Sequence, residues 1–260
     1  MDCFLLVDKP RSGIENMQTD QQMLCHAASS DRVLLRVYQW SAPTLTLGYF
    51  QKSADRKEHS ESSSLDCVRR ATGGGAIVHH HDWTYSLALP PKLLDSQLGA
   101  AQHVYDCIHD AVVGWLTDRN FASSKWSEPT CRGDSCSFLC FERRSLGDVV
   151  VGESKVMGSA QRRYKGAVLQ HGSLLLRRSQ HAPTLRGLRE LLTESETNDS
   201  SDVNGSAYAA GDAASDFANA IAESLTGRLG LSLQTVGGFT EWIADEEQGG
   251  FGKNSWELKR

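Results

Sequence analysis

The sequence predicts an α+β fold in which helices pack on a mostly antiparallel central sheet. Short apolar stretches with strand character recur within residues 1–90 and again within residues 148–176. Longer stretches with apolar side chains at helical spacing lie between and after them. Because 40% of the 260 residues are hydrophobic, the chain can bury one large core, and we expect a single domain over residues 1–260.

The first part of the chain has the pattern of a strand, a helix and a strand. Residues 4–7 form an apolar run that a proline and a glycine soon interrupt, and residues 14–28 then contain few helix breakers. Apolar and polar side chains alternate over residues 33–40, as expected of a half-buried strand. Residues 44–48 are a further strand candidate.

The rest of the chain contains both types of element and two polar segments. Residues 53–66 are rich in serine and residues 193–216 are poor in large apolar groups, which predicts two mobile surface loops. The other predicted elements are a strand pair around glycines 73–75, a helix over 97–116, short antiparallel strands over 148–176 interrupted by Gly152, Gly158, Gly166 and Gly172, a helix over 184–192, and a last helix over 217–229.

Composition and charge argue against several classes of protein. The formal net charge is −5 and the charges are mixed in sign, so no basic stripe indicates nucleic-acid binding. No stretch approaches the roughly 18 apolar residues that a transmembrane helix needs. Asp2 and the lack of a basic leader argue against a signal peptide, and seven cysteines, an odd number, indicate mostly reduced thiols. We therefore expect a soluble cytoplasmic protein.

Two segments suggest a site for an activated carboxylate. Gly73, Gly74 and Gly75 directly precede an apolar run, so a bare backbone can approach a ligand where a strand begins. Their spacing is neither that of a P-loop nor that of a dinucleotide-binding motif. Lys155 lies in a β-rich stretch and supplies a single ammonium. Backbone N–H groups can hold an oxyanion or phosphate, and an ammonium can neutralise its charge.

These segments belong to an ordered series of motifs. The series is Gly13-Ile-Glu-Asn16, Arg36-Val-Tyr38-Gln-Trp40, Pro43-Thr-Leu-Thr-Leu-Gly48, Arg69-Arg70-Ala-Thr-Gly73-Gly74-Gly75, Lys155-Val-Met-Gly158-Ser-Ala-Gln161 and Gln170-His171-Gly172-Ser173. In this order, over residues 2–181, the chain resembles the superfamily of lipoate–protein ligases, octanoyl- and lipoyl-transferases and biotin–protein ligases, and in particular the cysteine-dependent octanoyltransferases. The resemblance implies the catalytic-domain fold of the biotin and lipoate ligases.

The resemblance also implies which residues form the site. In the resembled family, the lysine that corresponds to Lys155 contacts the acyl carbonyl or acyl phosphate, where an ammonium acts most strongly as negative charge develops on oxygen. A generic lysine here would instead be a solvated charge at a strand end, and His171 would equally suit a hydrogen-bonded position in the core. The implied substrate-binding residues are Arg70, Gly73, Gly74, Gly75, His79, Gly158, Ser159, Ala160 and His171, with Trp40, Leu47 and Gly48 as tunnel-lining candidates.

Cys140 bears on the type of reaction. It lies fifteen residues before Lys155, about where the nucleophile of the resembled transferases lies. A cysteine thioester keeps the acyl group activated, so that its transfer to a lysine amine needs no ATP. The alternatives are that Cys140 is a buried, inert cysteine, or that Cys131 or Cys136 is the reactive thiol.

We therefore predict an octanoyl or lipoyl transferase that acts through an acyl-Cys140 thioester and needs no cofactor. One alternative is a lipoate–protein ligase that uses ATP and Mg to form lipoyl-AMP. Another, from a different class, is a non-catalytic lipoyl-binding or scaffold protein.

A metal site is not predicted. The cysteines at 131, 136 and 140 and the histidines at 79–81 lack the spacing of zinc sites, and neighbouring histidines on a strand would point to opposite faces. His79 matches a family histidine, but His80 stands where an acid usually follows it. The sequence therefore leaves the acid–base partner of His79 open.

The resemblance implies small acidic carriers as partners. These are the lipoyl domains of 2-oxoacid dehydrogenases or the glycine-cleavage carrier protein, with acyl carrier protein as a candidate donor. A local group of basic residues near the predicted site would attract such carriers, and salt would weaken the attraction. Its members are Arg143, Arg144, Arg162, Arg163 and Lys165.

Overall fold

The computed structural model describes residues 1–96, 101–128, 137–195 and 211–239. The strands are β1 (Asp2–Val7), β2 (Val33–Tyr38), β3 (Thr44–Leu47), β4 (Asp66–Arg69), β5 (Ile77–His79), β6 (Asp82–Leu89), β7 (Ser123–Lys125), β8 (Val149–Val151), β9 (Ser154–Tyr164), β10 (Ala167–Leu175) and β11 (Ser232–Thr235). The helices are α1 (Gly13–Ser29), α2 (Pro91–Ser96), α3 (Ala101–Thr117), α4 (Leu188–Ser195) and α5 (Gly211–Leu229).

The larger of two sheets has eight strands in the order β11-β1-β2-β6-β10-β9-β8-β7. β1 pairs in parallel with β11 and β2, and the other neighbours pair antiparallel. This confirms the predicted α+β class with a mostly antiparallel central sheet.

Helices cover both faces of the larger sheet. Met23 of α1 packs with Leu34 in one core cluster, whereas Ile108 of α3 and Phe217 of α5 lie in another cluster with Leu35. Because consecutive strand residues point to opposite faces, Leu34 and Leu35 serve the two cores separately. The prediction that this strand is half-buried was wrong, since all of β2 is buried.

α1 is anchored at its first turn. The Ser12 hydroxyl accepts a hydrogen bond from the Glu15 N–H, and the Glu15 carboxylate accepts one from the Ser12 N–H, which forms a capping box. A Cβ on Gly13 would lie 2.8 Å from Cγ2 of Thr44, so the start of the helix can approach β3 only without a side chain. This contact places Met17 of α1 beside the junction of the two sheets.

The smaller sheet has the order β4-β3-β5. β3 pairs in parallel with β4 and antiparallel with β5. Gly73, Gly74 and Gly75 lie in the connection between β4 and β5, and Ala76 then bridges to Leu139. The smaller sheet thus brings the glycine loop next to the segment that contains Cys140.

β9 and β10 are long strands, not the series of short ones that the glycines suggested. Gly152 and Gly166 do occupy turns, with φ of +57° and +84°, but Gly158 and Gly172 lie inside the strands. A Cβ on Gly172 would lie 2.7 Å from the carbonyl oxygen of Gly158. Close packing therefore explains glycine at this interior position.

The segment 53–66 connects β3 to β4. It contains two 3-10 turns, Ser53–Glu58 and Ser60–Ser62, and its last residue begins β4. Arg56 donates hydrogen bonds to the carbonyl oxygens of Ser63 and Leu65, which ties the first turn to the approach to β4.

The later helices differ from their predicted bounds. α4 begins at Leu188 instead of residue 184, because Ser179 and Ala182 form a bridged turn before it. Parts of the predicted mobile loop over 193–216 belong to α4 and α5, and its residues 196–210 lie outside the described residues. In the described part of the chain, no helix is both long and apolar enough to cross a membrane.

Candidate active site

A cavity of about 140 Å³ lies where the two sheets meet. Its wall is formed by α1, the glycine loop, β5, β6, β9, β10 and the segment around Cys140. Ten of the eleven predicted site residues line it, namely Cys140, Lys155, Arg70, Gly73, Gly74, His79, Gly158, Ser159, Ala160 and His171. The tunnel candidate Trp40 lines it as well.

Gly75, Leu47 and Gly48 do not line this cavity. Gly75 packs against the Arg143 guanidinium, and a Cβ there would lie 3.1 Å from the backbone nitrogen of Cys140. Leu47 is buried in the core of the smaller sheet. Gly48 is pressed against the backbone of Gly74, where a Cβ would lie 2.9 Å from the carbonyl carbon. Gly75 and Gly48 thus lie behind the residues that line the cavity, where their backbones contact the backbones of Cys140 and Gly74.

Cys140 is positioned by the smaller sheet. Its N–H donates to the carbonyl oxygen of Ala76 (2.8 Å), and it begins a 3-10 turn. Leu139 and Phe141 are buried on either side, whereas Cys140 is half-buried and reaches the cavity. Cys140 is therefore not fully buried, unlike its two neighbours.

Lys155 forms a buried ion pair beside the thiol. Its Nζ lies 2.6 Å from Oδ2 of Asp148 and 3.9 Å from Sγ of Cys140, and both charged side chains are 3% exposed. Asp148 also accepts a hydrogen bond from the Ser145 N–H (2.6 Å). Burial raises the pKa of Asp148, while the neighbouring ammonium opposes that rise. Lys155 is therefore not a solvated strand-end charge, and its ammonium acts where water screens charge weakly.

Gly158 makes room for the lysine. A Cβ at this position would lie 2.6 Å from Cε and 2.8 Å from Nζ of Lys155, and 3.0 Å from Oδ1 of Asp148. The lysine side chain therefore crosses the bare backbone of β9 to reach its carboxylate. This contact is the physical reason for the glycine three positions after Lys155.

Arg70 holds the glycine loop in shape. Its guanidinium donates to the carbonyl oxygens of Gly73 (3.3 Å), Gly75 (2.8 Å) and Thr46 (3.0 Å). Gly74 between them has φ +93°, a conformation that other residues rarely adopt. Burial lowers the pKa of Arg70 to about 10. Most of its donors are thus committed to the protein, and it orders the loop that lines the cavity.

Asp82 is the acid partner of His79. Nδ1 of His79 lies 2.7 Å from Oδ2 of Asp82, and Nε2 lies 3.0 Å from Oγ1 of Thr46. The Trp40 indole stacks on the imidazole at 3.9 Å between ring centroids. Burial lowers the pKa of His79 although the carboxylate opposes this. The partner that the sequence left open is therefore three residues after the histidine, at the start of β6.

His171 is both a lining residue and a member of a buried hydrogen-bond network. Its Nε2 lies 2.5 Å from Oγ1 of Thr72, and its Nδ1 lies 3.3 Å from Oδ2 of Asp20. Tyr38 donates to the same carboxylate oxygen (2.9 Å). The two alternatives for His171 thus describe one position, in which core contacts orient a side chain at the cavity.

Ser159 connects the cavity wall to α3. Its hydroxyl lies 2.6 Å from the Tyr85 hydroxyl and 2.7 Å from Nε2 of His109. Nδ1 of His109 lies 2.7 Å from the carbonyl oxygen of Gly147, the residue before Asp148. Burial lowers the pKa of His109 to about 4, so the imidazole is neutral near pH 7. This network steadies both the wall and the turn that carries Asp148.

The residues of the site that were not predicted from the sequence include Asp148, Asp82 and His109. Each lies outside the residues that the motifs assigned to the site. The available signals were an acid at the start of a β-rich stretch, a second acid shortly after His79, and a histidine within the apolar stripe of α3. None of these signals distinguishes a site residue from a surface charge without the tertiary contacts.

The described residues contain no group of three or more His, Cys, Asp or Glu side chains that could hold a metal ion. His80 and His81 lie in the turn after β5 and their rings stack at 3.5 Å, so the expectation that they point to opposite faces was wrong. Cys131 and Cys136 lie outside the described residues.

Sequence comparison finds a family model and relatives that match more than half of the chain. The model of the lipoyl protein ligase A/B catalytic domain matches residues 12–209. The octanoyltransferase LipM of Kyrpidia tusciae is 34% identical over 169 residues, which cover 62% of this chain and 61% of the relative. That of Halalkalibacterium halodurans is 33% identical over 68% of this chain and 67% of the relative. The chain spans roughly three-fifths to two-thirds of the length of these curated relatives.

Structural comparison supports the same fold. A putative lipoate protein ligase from T. acidophilum superposes with a TM-score of 0.64 at 20% identity, over 95% of this chain and 94% of that one. LipL1 from P. falciparum in complex with lipoate gives a TM-score of 0.57 at 13% identity, over 94% and 70%. The architecture is therefore that of the lipoate ligase catalytic domain, as expected.

Proposed function

The chain belongs to the lipoyl protein ligase A/B catalytic domain family, and from that premise we propose that it is a protein acyltransferase. It transfers an octanoyl or lipoyl group to a lysine of a lipoyl carrier domain through a thioester on Cys140. The observation that carries the proposal is the distance of 3.9 Å between Sγ of Cys140 and Nζ of Lys155 in the wall of one cavity. The similarity to octanoyltransferases favours octanoyl as the group transferred.

The reaction has two half-reactions. The Cys140 thiolate first attacks the carbonyl carbon of an octanoyl thioester, so that a new C–S bond forms, the donor's C–S bond breaks, and the donor sulfur leaves as a thiolate that takes up the proton released by Cys140. The amine of the carrier lysine then attacks the acyl-cysteine, so that a C–N bond forms, the C–S bond to Cys140 breaks, and the proton that the amine loses goes to the departing Cys140 sulfur. Neither half-reaction consumes ATP.

The ammonium of Lys155 serves both half-reactions. Each passes through a tetrahedral intermediate with negative charge on the former carbonyl oxygen, and a fixed, buried cation stabilises that charge more than it stabilises the neutral carbonyl. Asp148 holds the ammonium in place. Arg70 and His79 act on the other wall by ordering the glycine loop and Trp40, which we assign as positioning roles.

The cavity suits an alkyl chain. Met17, Trp40 and Ile77 give it an apolar wall, and Gly158, Ser159 and Ala160 border it along β9. Each methylene that leaves water contributes about 0.8 kcal/mol to binding.

The competing assignment is a ligase that uses ATP and Mg to make lipoyl-AMP. That reaction needs no thiol, whereas Cys140 is held at the cavity next to the lysine, and this placement favours the transferase. A non-catalytic lipoyl-binding protein would need neither the thiol nor the buried ion pair.

We further propose a cytoplasmic enzyme whose acceptors are the lipoyl domains of 2-oxoacid dehydrogenases or the glycine-cleavage carrier protein, with acyl carrier protein as donor. A T. acidophilum lipoate protein ligase of the same fold has been solved as part of a system with its E2 lipoyl domain.

The first experiment separates the two reaction types. The purified protein is incubated with apo lipoyl domain and either octanoyl-acyl carrier protein, or octanoate with ATP and Mg. We expect octanoylation of the domain in the first mixture. Modification only in the ATP mixture would show that the protein is a ligase.

The second experiment concerns the thiol. Intact-mass analysis after incubation with the octanoyl donor should show an adduct that hydroxylamine removes. Cys140→Ser should abolish the adduct and turnover, because an alcohol is a far poorer nucleophile near neutral pH. Cys67→Ser, a half-buried cysteine of β4, is the matched control, and Cys131→Ser and Cys136→Ser should also retain the adduct.

The third experiment concerns the ammonium. Lys155→Ala should lower the acylation rate by a factor of roughly 100 to 1,000, the scale for removal of one oxyanion-stabilising donor. Acylation at the wild-type rate would show that Lys155 does not stabilise the reacting carbonyl.

A further inference from the structure

We propose that the rim of the cavity is a docking surface for an acidic carrier domain, formed by Phe50, Leu146 and Arg162. The inference rests on the proposed function, because the lysine of the carrier must enter this cavity to reach Cys140. It adds which side chains bind the body of the carrier outside the cavity.

Phe50 marks the rim on the side of the glycine loop. Its side chain is 72% exposed, the highest value among the large hydrophobic residues that the structure describes. It is nevertheless near the site, since a Cβ on the cavity-lining Gly73 would lie 3.8 Å from the Phe50 ring. Tyr49 supports it with an edge-to-face contact at 5.0 Å between ring centroids. An exposed aromatic residue at a site entrance is typical of a binding hot spot.

Leu146 marks the rim on the side of the buried ion pair. It is 68% exposed and follows Ser145, which lines the cavity and whose N–H binds Asp148. Two of the most exposed large hydrophobic side chains of the described chain thus border the same cavity. Single exposed apolar residues are common, but two at one entrance indicate a contact surface.

The Arg162 guanidinium adds positive charge to this rim. Arg162 lies two residues after the cavity-lining Ala160 on the same face of β9, and its guanidinium stacks over the Tyr49 ring at 4.7 Å. Arg162 forms no ion pair with a carboxylate among the described residues. Arg163, by contrast, projects from the opposite face of β9, so the predicted basic group does not form one continuous surface.

The charge of the rim indicates which kind of partner binds there. The whole chain has a formal net charge of −5, yet the entrance presents, next to apolar side chains, a guanidinium that has no carboxylate partner in the described part of the chain. A second copy of the chain would place like charges against each other at this rim. A small acidic carrier with an apolar spot near its lysine complements both features.

The experiment measures carrier binding and self-acylation separately. Apo lipoyl domain is titrated against wild-type protein, Phe50→Ala and Arg162→Glu, and the Kd is read by calorimetry. Acylation of Cys140 by octanoyl-N-acetylcysteamine, a small donor that needs no docking, is read by intact mass. Arg163→Glu is the charge-matched control on the other face of β9, and Leu233→Ala is the apolar control on the edge strand β11.

We expect Phe50→Ala and Arg162→Glu each to raise the Kd about tenfold, whereas both controls bind like wild type. Salt should weaken wild-type binding and have less effect on Arg162→Glu. Self-acylation should be unchanged in all four variants.

Wild-type Kd values in Phe50→Ala and Arg162→Glu would overturn the docking surface. Conversion of a wild-type dimer into a monomer by Phe50→Ala would also overturn it, because the rim would then be an interface between copies. Absence of the octanoyl adduct in wild type would instead refute the proposed function, and the Kd measurements would still test the surface.

Discussion

Replacing Gly158 by alanine tests whether the exact position of the Lys155 ammonium sets the reaction rate. The added Cβ would lie 2.6 Å from Cε of Lys155, whereas ordinary van der Waals contact begins near 3.4 Å. The lysine must therefore retreat from the added Cβ by about 0.8 Å or more, which displaces its ammonium. Misplacement of a catalytic group by ~1 Å costs on the order of 100-fold in rate.

The strain should appear in activity more than in stability. The atoms that clash belong to the end of a flexible side chain, which can move at little cost. We expect the rate of Cys140 acylation by octanoyl-N-acetylcysteamine to fall about 100-fold while the thermal midpoint changes by only a few degrees.

Gly114→Ala in α3 is the control for this substitution. Nothing lies within 4 Å of a Cβ at that position, so the variant should be fully active and slightly more stable. Full activity of Gly158→Ala would refute the reasoning, since the lysine would then tolerate displacement from its carboxylate and from the thiol.

Three further predictions follow from the same contacts. Asp148→Asn leaves the Lys155 ammonium buried without its carboxylate, so the free energy of unfolding in urea should fall by about 3–5 kcal/mol, and a loss below ~1 kcal/mol would contradict a buried ion pair. Gly172→Ala places a Cβ 2.7 Å from a backbone oxygen that cannot yield, so its thermal midpoint should fall more than that of Gly158→Ala; equal midpoints would contradict this. Burial lowers the pKa of His109 from its ordinary value of 6.5 to about 4. The stability that comes from keeping this imidazole neutral is therefore complete above pH 6.5 and is lost as the pH falls towards 4. Between pH 7 and pH 4, the free energy of unfolding of His109→Gln should fall by about 3 kcal/mol less than that of the wild type, measured by denaturant unfolding at each pH. Parallel pH profiles of the two proteins would contradict the assignment.

The elements that the sequence predicted correctly are those with a strong local pattern. α1 follows from a stretch with few helix breakers, and α3 follows from apolar residues at helical spacing. β9 and β10 were recognised as β but were divided at Gly158 and Gly172, because a glycine inside a strand has the same local pattern as a turn. Only the side chains that cross these positions show why glycine is there.

The candidate site divides in the same way between local pattern and tertiary contact. The sequence was enough to propose Lys155 and Cys140, because the resemblance to a family assigns roles to these positions, while Cys131 and Cys136 stayed open as alternative thiols. That Cys140 is half-buried at the cavity depended on its hydrogen bond to Ala76, more than sixty residues earlier in the chain. That Lys155 is paired depended on a turn before β8 which delivers Asp148.

Sequence alone therefore determined the fold class and most of the residues around the cavity, because periodicity and motifs are properties of neighbours along the chain. Tertiary structure alone decided which acids serve His79 and Lys155, and that Gly75 packs behind the wall. The physical reason is that ion pairs and hydrogen bonds act over about 3 Å, and only the packing of two sheets brings residues from distant segments within that range.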